Sequence, residues 1–172
     1  MDSKKALRRT AQRTRQELSQ TTDLSGPLRQ ILATARRVAS YVAVGTEPGV
    51  PARAGWLLPV LLPDGDLDWA EFAGELHEAG HGLREPVGPR LGVDAITACD
   101  LVLVPALLVD RQGNRLGKGG GSYDRALARA GGLTVALLHD GELVDTLPAE
   151  AHDVPVAAAV TPSGGLVRLP GS

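Results

Sequence analysis

Aromatic residues and cysteine are scarce in this chain: two Trp, two Tyr, one Phe and one Cys among 172 residues. A single cysteine excludes an intrachain disulfide framework, and Cys99, between Ala98 and Asp100 at the mouth of an apolar run, reads as a small buried hydrophobe and not as a nucleophile. With so few rings, the core must rest on Leu, Val and Ala. No apolar stretch approaches the ~18 residues that a bilayer-spanning helix needs, and the charged N-terminus lacks the apolar segment of a signal peptide, so a cytoplasmic protein is expected. Neither sign of charge dominates. Eighteen basic and 20 acidic residues leave a net charge of −2, which gives nucleic acid or an anionic membrane no overall attraction. Internal repeats and low-complexity tracts are missing as well. What remains is 43% apolar and 22% charged, a globular composition at single-domain length, and residues 1–172 are read as one domain, expected to act as a monomer.

Five short apolar segments stand out: VASYVAV from Val38, WLLPVLL from Trp56, LVLVPALLV from Leu101, LTVALL from Leu133 and VPVAAAV from Val154. Several show no polar alternation, as expected of strands covered on both faces. Helical stretches lie between them, which predicts an α/β protein with an open, largely parallel sheet. The stretch DWAEFAGELHEAGHGLREPVGPRLG, residues 68–92, is richer in Gly, Pro and charge and predicts a surface excursion with weak helical content, in which Trp69 and Phe72 pack.

Asp2 or Ser3 can cap a helix from about Lys4 to Leu18, with Leu7, Ala11, Thr14 and Leu18 predicted to face the core. At ~100° per residue, Lys4, Arg8 and Arg15 share one border of that stripe, while Lys5, Arg9 and Arg13 point to solvent. The border cations are the ones placed to reach a buried anion; otherwise all six are solvated helix charges. A second helix is predicted after DLSGP, with Pro27 in its first turn and Leu28, Ile31, Leu32 and Ala35 inward.

RLGKGGGSYDR, residues 115–125, follows an apolar run and precedes an alanine-rich segment. Strand, glycine loop and helix in that order commonly hold a phosphate, because unbonded N–H groups at a helix start face outward. The loop is no Walker motif: three residues separate Gly113 from Gly117, and Gly119 follows Lys118 where Ser or Thr is required. A dinucleotide fingerprint would need glycine at Ser122. A different cradle is left, in which Gly117, Gly119, Gly120 and Gly121 present amides while Arg115 and Lys118 supply charge, or else a glycine-rich turn without a ligand. Asp124 in the first helical turn would repel a phosphate held there, a conflict that a bridging divalent cation resolves. Mg²⁺ takes one or two carboxylates with phosphate oxygens and water, and Asp153, before the last apolar segment, is the candidate second carboxylate. His152 beside it reads as structural.

LVPALLVDRQGNRLGKGGGSYDRAL and LPAEAHDVPVAAAVTP together resemble the signature pair of the 5-formyltetrahydrofolate cyclo-ligases, or methenyltetrahydrofolate synthetases. Lys4 and Arg8 four apart, YVAVGTEP, LLPVL and GLREP extend the resemblance over nearly the whole chain. It implies a three-layer α/β/α sandwich, Rossmann-like, that converts 5-formyltetrahydrofolate and ATP into 5,10-methenyltetrahydrofolate, ADP and phosphate with Mg²⁺. By the same resemblance, Lys4, Arg8 and the loop Arg115, Leu116, Gly117, Lys118, Gly119, Gly120, Gly121, Ser122 and Tyr123 would hold ATP. Asp124 and Asp153 would hold the metal, Glu47 and Tyr123 the folate, and Arg115, Lys118 and Tyr123 would act in catalysis. A non-catalytic nucleotide- or folate-binding relative would keep the loop and lose the two aspartates. A phosphosugar-binding protein or isomerase on a similar sheet would bind phosphate without needing ATP.

The chain departs from the family at Ser122, where many members carry an aromatic residue and where Ser suits a helix N-cap. Lys118 occupies a position often held by an aromatic residue, Met or Arg. A third departure is GTEPGVPARAGW, residues 45–56, which is short for a parallel crossover and is broken by Pro48, Gly49, Pro51 and Gly55 where the family has a leucine-rich helix. Loss of a core-covering helix would bare one sheet face, so a segment missing between two neighbours of Pro48–Trp56 is the favoured expectation, visible as a Cα step well above ~3.8 Å.

Overall fold

The computed structural model describes residues 3–18 and 22–170. Helix α1 spans Ser3–Gln16 and helix α2 spans Arg29–Thr34. The candidate cap Asp2 lies outside the described residues, and Ser3 is already helical. Pro27, expected in the first turn of α2, sits in the turn before it, while Leu28 and Leu32 are buried as expected with Ile31 and Ala35 packed beside them. Strand β1 is only Val38–Ala39, followed by β2 (Leu57–Leu61), β3 (Leu67–Glu71), β4 (Leu76–Glu78) and β5 (Arg84–Pro86). A 3₁₀ turn at Val93–Ala98 leads into β6 (Leu101–Pro105), β7 (Leu108–Asp110) and β8 (Arg115–Leu116). Helix α3 (Ser122–Arg129) precedes β9 (Leu133–Leu137), β10 (Leu143–Val144), β11 (Ala158–Thr161) and β12 (Gly165–Arg168).

Among the described residues, the main sheet has seven strands in the order β12-β11-β9-β6-β1-β2-β3. From β11 to β2 every pairing is parallel, and the edges β12 and β3 are antiparallel. Alternate residues of the central strands enter two separate cores. Leu101, Leu103, Val135, Leu137, Ala158 and Val160 pack with Leu24, Leu28 and Leu32 around α2. Val102, Val104, Ala136 and Ala159 pack with Ile96 of the 3₁₀ turn and with Ala126 and Leu127 of α3. Burial on both faces explains the unbroken apolar runs and gives the expected three layers. Cys99 and Trp69 are core residues, and burial pushes the Cys99 thiol up to about 11.

Two expectations are corrected. Residues 68–92 carry strand and not weak helix: β4 and β5 form a hairpin with Leu76 opposite Pro86, aided by Gly80 and Gly82 at positive φ in its turn. Residues 45–56 are continuous, without the expected gap, and join β1 to β2 without a helix. Gly49 N–H donates to Thr22 O and Leu24 N–H to Gly49 O, while Tyr41 Oη donates to Pro48 O. Val50 and Trp56 are buried in the core around α2, which supplies the apolar cover that a crossover helix would bring.

The outer face of α3 is pinned to the sheet by Arg129, which makes two hydrogen bonds to Asp66, at 2.8 and 2.6 Å. Arg129, together with the Leu67 N–H bond, lowers the Asp66 carboxyl from 3.8 to about 2. A depressed folded-state pKa stabilises above the unfolded value and is lost as pH falls through the folded one. Asp66→Asn should therefore cost about 1–2 kcal/mol at neutral pH and flatten the stability loss between pH 4 and 2, measured by urea unfolding at each pH.

Candidate active site

The chain lays β2 on one side of β1 and later β6 on the other, so the carboxyl ends of β1 and β6 frame a crevice where strand order reverses. A cavity of about 830 Å³ opens there, lined by Tyr41, Val44 and Glu47 after β1 and by Ala106 and Leu107 after β6. The glycine loop forms another wall, and α1 contributes Lys4, Arg8 and Arg15.

Glycines in that loop have a local cause as well as an opening onto the cavity. A Cβ on Gly117 would lie 2.8 Å from Arg115 Nη1, because the Arg115 guanidinium folds back across the loop to donate to Pro105 O at 2.8 Å. Gly119 has φ +108 and faces the Arg8 guanidinium, whose Nε donates to Gly117 O at 2.9 Å. Both features shape a loop that side chains would block. Gly121 caps α3 in a left-handed conformation with no side-chain hydrogen bond, so Ser122 is the first helical residue and not the expected N-cap.

Helix α1 turns inward only part of the apolar stripe that its sequence predicts. Ala11 and Arg15 are buried, whereas Thr14 and Leu18 are exposed. Lys5, Arg9 and Arg13 do point to solvent. The inward stripe is the cationic border: Lys4 Nζ donates to Asp153 Oδ2 at 2.5 Å, Arg8 holds the glycine loop, and Arg15 meets Glu142 in a buried ion pair. Charge, more than apolar area, docks this helix. Burial opposes the Lys4 ammonium, but its hydrogen bond and ion pairing with Asp153 and Glu150 win, and its pKa is raised. Burial likewise works against the Asp153 carboxylate, yet the Lys4 and Glu150 N–H bonds hold its pKa low.

Asp124 and Asp153 approach the same stretch of backbone. Val154 N–H points at Asp124 Oδ1, 3.5 Å away, and Arg115 Nη2 lies 3.7 Å from the same oxygen. Among the described residues no group of three or more acidic, His or Cys side chains could cage a metal. Asp124 and Asp153 both line the cavity, and two carboxylates suit Mg²⁺, which fills the rest of its octahedron with phosphate and water. Glu47, buried across the cavity, accepts from Val44 N–H at 2.8 Å and meets Lys118 Nζ at 3.4 Å. Tyr123 Oη and Arg115 Nε are buried without a hydrogen-bond partner, and the Arg115 guanidinium stacks 5.9 Å from the Tyr123 ring. An unpaired buried polar group costs ~1–3 kcal/mol, so a polar ligand at this wall has groups to satisfy. Burial raises the Tyr123 phenol, with the Glu47 charge adding to it, and burial raises the Tyr41 phenol as well, so both stay protonated donors. Burial pulls the Arg115 pKa down, opposed by Asp124.

Comparison with known proteins agrees with this geometry. The model of the 5-formyltetrahydrofolate cyclo-ligase family matches residues 2–162. The chain belongs to that family. A 5-formyltetrahydrofolate cyclo-ligase of Mycolicibacterium smegmatis is 43% identical over 162 residues, covering 85% of this chain and 84% of that one. The Escherichia coli (strain K12) cyclo-ligase is 41% identical over 84 residues, 47% of this chain and 46% of its own. Among solved structures, the Aquifex aeolicus 5,10-methenyltetrahydrofolate synthetase superposes with a TM-score of 0.77 at 26% identity, over 98% of this chain and 94% of that one. The Mycoplasma pneumoniae synthetase, TM-score 0.66 at 18% identity over 92% and 98% of the two chains, shares the fold. Family membership makes the chain an enzyme, a ligase. No described helix is long and apolar enough to cross a membrane.

Every site residue expected from the sequence lines the one cavity. Several lining residues carried no expected site role: Tyr41, the hairpin residues His81, Arg84 and Glu85, and Arg15, which was expected only as a border cation able to reach a buried anion and does so at Glu142. Arg15 had a signal, since it continues the Lys4 and Arg8 stripe by two turns. Arg84 and Glu85 of the hairpin fall within GLREP, which entered the resemblance without a role, and only the fold brings them over the cavity.

Proposed function

We propose that this chain converts 5-formyltetrahydrofolate and ATP into 5,10-methenyltetrahydrofolate, ADP and phosphate in the presence of Mg²⁺. The observation that carries the reading is the convergence, in one cavity, of a cationic glycine loop, two carboxylates and the opposed Glu47. Lys4, Arg8, Arg115 and the N–H groups of Gly117–Ser122 would bind the nucleotide phosphates. Asp124 and Asp153 would hold Mg²⁺, which when bound neutralises phosphate charge and so favours phosphoryl transfer. Glu47, in the turn after β1, and the Tyr123 hydroxyl, at the start of α3, would orient the folate.

An amide-like formyl oxygen is a weak nucleophile, so the protein's task is alignment and charge neutralisation, with no covalent nucleophile of its own. The formyl oxygen takes the γ-phosphoryl group and ADP leaves. N10 then attacks the activated carbon, closes the five-membered ring and gives up its proton, and phosphate departs. The buried Arg115 guanidinium, in a site of low dielectric, is the residue best situated to stabilise charge on the transferring group.

The test is the absorbance of the methenyl product from folinate, with ATP and Mg²⁺ each omitted in turn. Turnover is expected only with all three. Formation at full rate without nucleotide would defeat the proposal, and binding of both ligands without product would favour a non-catalytic relative.

A further inference from the structure

Three buried polar side chains outside the reacting region form one continuous connection between the two sides of the cavity. Arg15, Glu142 and His139 are 5%, 7% and 7% exposed. Glu142 Oε2 accepts from Arg15 Nε and Oε1 from Arg15 Nη2, each at 2.8 Å, and Oε1 also accepts from the His139 backbone N–H at 2.8 Å. Arg15 Nη2 donates in addition to Ala106 O, at 2.6 Å, just after β6. The His139 ring continues the connection, with Nε2 at 2.6 Å from Thr46 O and Nδ1 at 3.1 Å from Thr22 Oγ1. A carbonyl oxygen only accepts, so Nε2 carries the proton and, in the neutral ring, Nδ1 accepts from the Thr22 hydroxyl. Thr46 immediately precedes Glu47.

We propose that His139 and Glu142 are positioning residues for this reaction: the connection Arg15–Glu142–His139–Thr46 sets the Glu47 turn in register with α1, which carries Lys4 and Arg8. The inference rests on the reading that Glu47 faces the folate and α1 faces the nucleotide. Its physical basis is the way the turn is held. Residues 45–56 contain no helix or strand of the main sheet, so the Glu47 turn depends on point attachments, and two of them flank Glu47 itself: the His139 bond to Thr46 O on one side and the Tyr41 bond to Pro48 O on the other. A buried ion pair adds little net stability over apolar packing, but it fixes geometry, because neither charge can move without losing its partner. Arg15 and Glu142 therefore give α1 a defined seat, and the His139 backbone and ring pass that seat on to the turn.

The experiment is steady-state kinetics with each substrate varied separately, on wild type, His139→Leu, His139→Gln, Thr22→Val and Glu142→Gln, alongside urea unfolding. His139→Leu, which cannot donate to Thr46 O, should raise KM for 5-formyltetrahydrofolate about tenfold and leave KM for ATP within about twofold, as expected for loss of one orienting bond. His139→Gln keeps an N–H donor at similar reach and should restore most of the folate KM. Thr22→Val, nearly isosteric and outside the cavity lining, should move the folate KM in the same direction by about threefold, and it decides the matter if His139→Leu does not fold. Glu142→Gln, at the junction, should raise both KM values. An unchanged folate KM in His139→Leu or, where that does not fold, in Thr22→Val overturns the inference. So does a rise in both KM values that His139→Gln fails to relieve. With wild-type turnover present, those results leave the proposed reaction standing; absence of ATP-dependent turnover in the wild type overturns both.

Discussion

Asp124→Asn is expected to lower kcat/KM about 10²–10³-fold while shifting Tm by no more than about 2 °C. Asparagine keeps the shape and an acceptor for Val154 N–H but removes the charge that would hold Mg²⁺ against the phosphates. The carboxylate is a quarter exposed, and its ion pair with Arg115 is long at 3.7 Å, so little folding energy depends on it. Ser122→Ala is the control on the same turn of helix. Because Gly121, and not Ser122, caps α3, the hydroxyl satisfies no cap bond and its loss should leave both activity and stability near wild type. The measurement is turnover against Mg²⁺ concentration for both variants, with Asp124→Asn needing more metal for half-maximal rate. Losses of equal size in both variants, tracking a fall in Tm, would mean that Asp124 serves the fold and not the metal.

Arg115→Met should cost about 100-fold in kcat/KM for ATP, whereas Lys118→Ala should stay within about threefold. Both are loop cations, and the sequence treats them alike. Their surroundings differ: the Arg115 side chain is 6% exposed and stacks against Tyr123, while the Lys118 side chain is 56% exposed and reaches only Glu47. A charge held in a poorly solvated wall acts on a phosphoryl group far more strongly than one on a flexible stem in water. Methionine fills the same volume without leaving a buried unpaired charge, because the remaining Asp124 is partly solvated, so the variant should fold. Comparable losses in the two variants, or a larger loss for Lys118→Ala, would overturn the ranking.

The glycine loop and its flanking aspartate were legible because they are local: glycines at set offsets, a strand before and a helix after, all within some thirty residues of sequence. The apolar runs from Leu101 and Leu133 declared a sheet buried on both faces for the same reason, since period and composition are written in consecutive residues. The inward face of α1 was legible only in part: of the apolar stripe Leu7, Ala11, Thr14 and Leu18, Ala11 is buried and Leu7 half-buried, but Thr14 and Leu18 are exposed and the structure seats the helix through Lys4, Arg8 and Arg15. Hydrophobic periodicity finds a helix but ranks faces by apolar area, and here specific ion pairs outweigh it.

Residues 45–56 and 68–92 misled in another way. Turn residues marked 45–56 as irregular chain, yet nothing local says that Gly49 bonds Thr22, that Val50 and Trp56 stand in for a crossover helix, or that the stretch from Leu76 to Pro86 pairs with itself over the cavity. Chain order and residue chemistry settled the fold class and marked the glycine loop as the candidate ligand site, because both follow from short-range pattern. Where Asp153 meets Lys4, Glu47 meets Lys118 and His139 meets Thr46 was decided by strand order in the sheet, which brings together groups separated by 149, 71 and 93 positions through the packing of the whole chain.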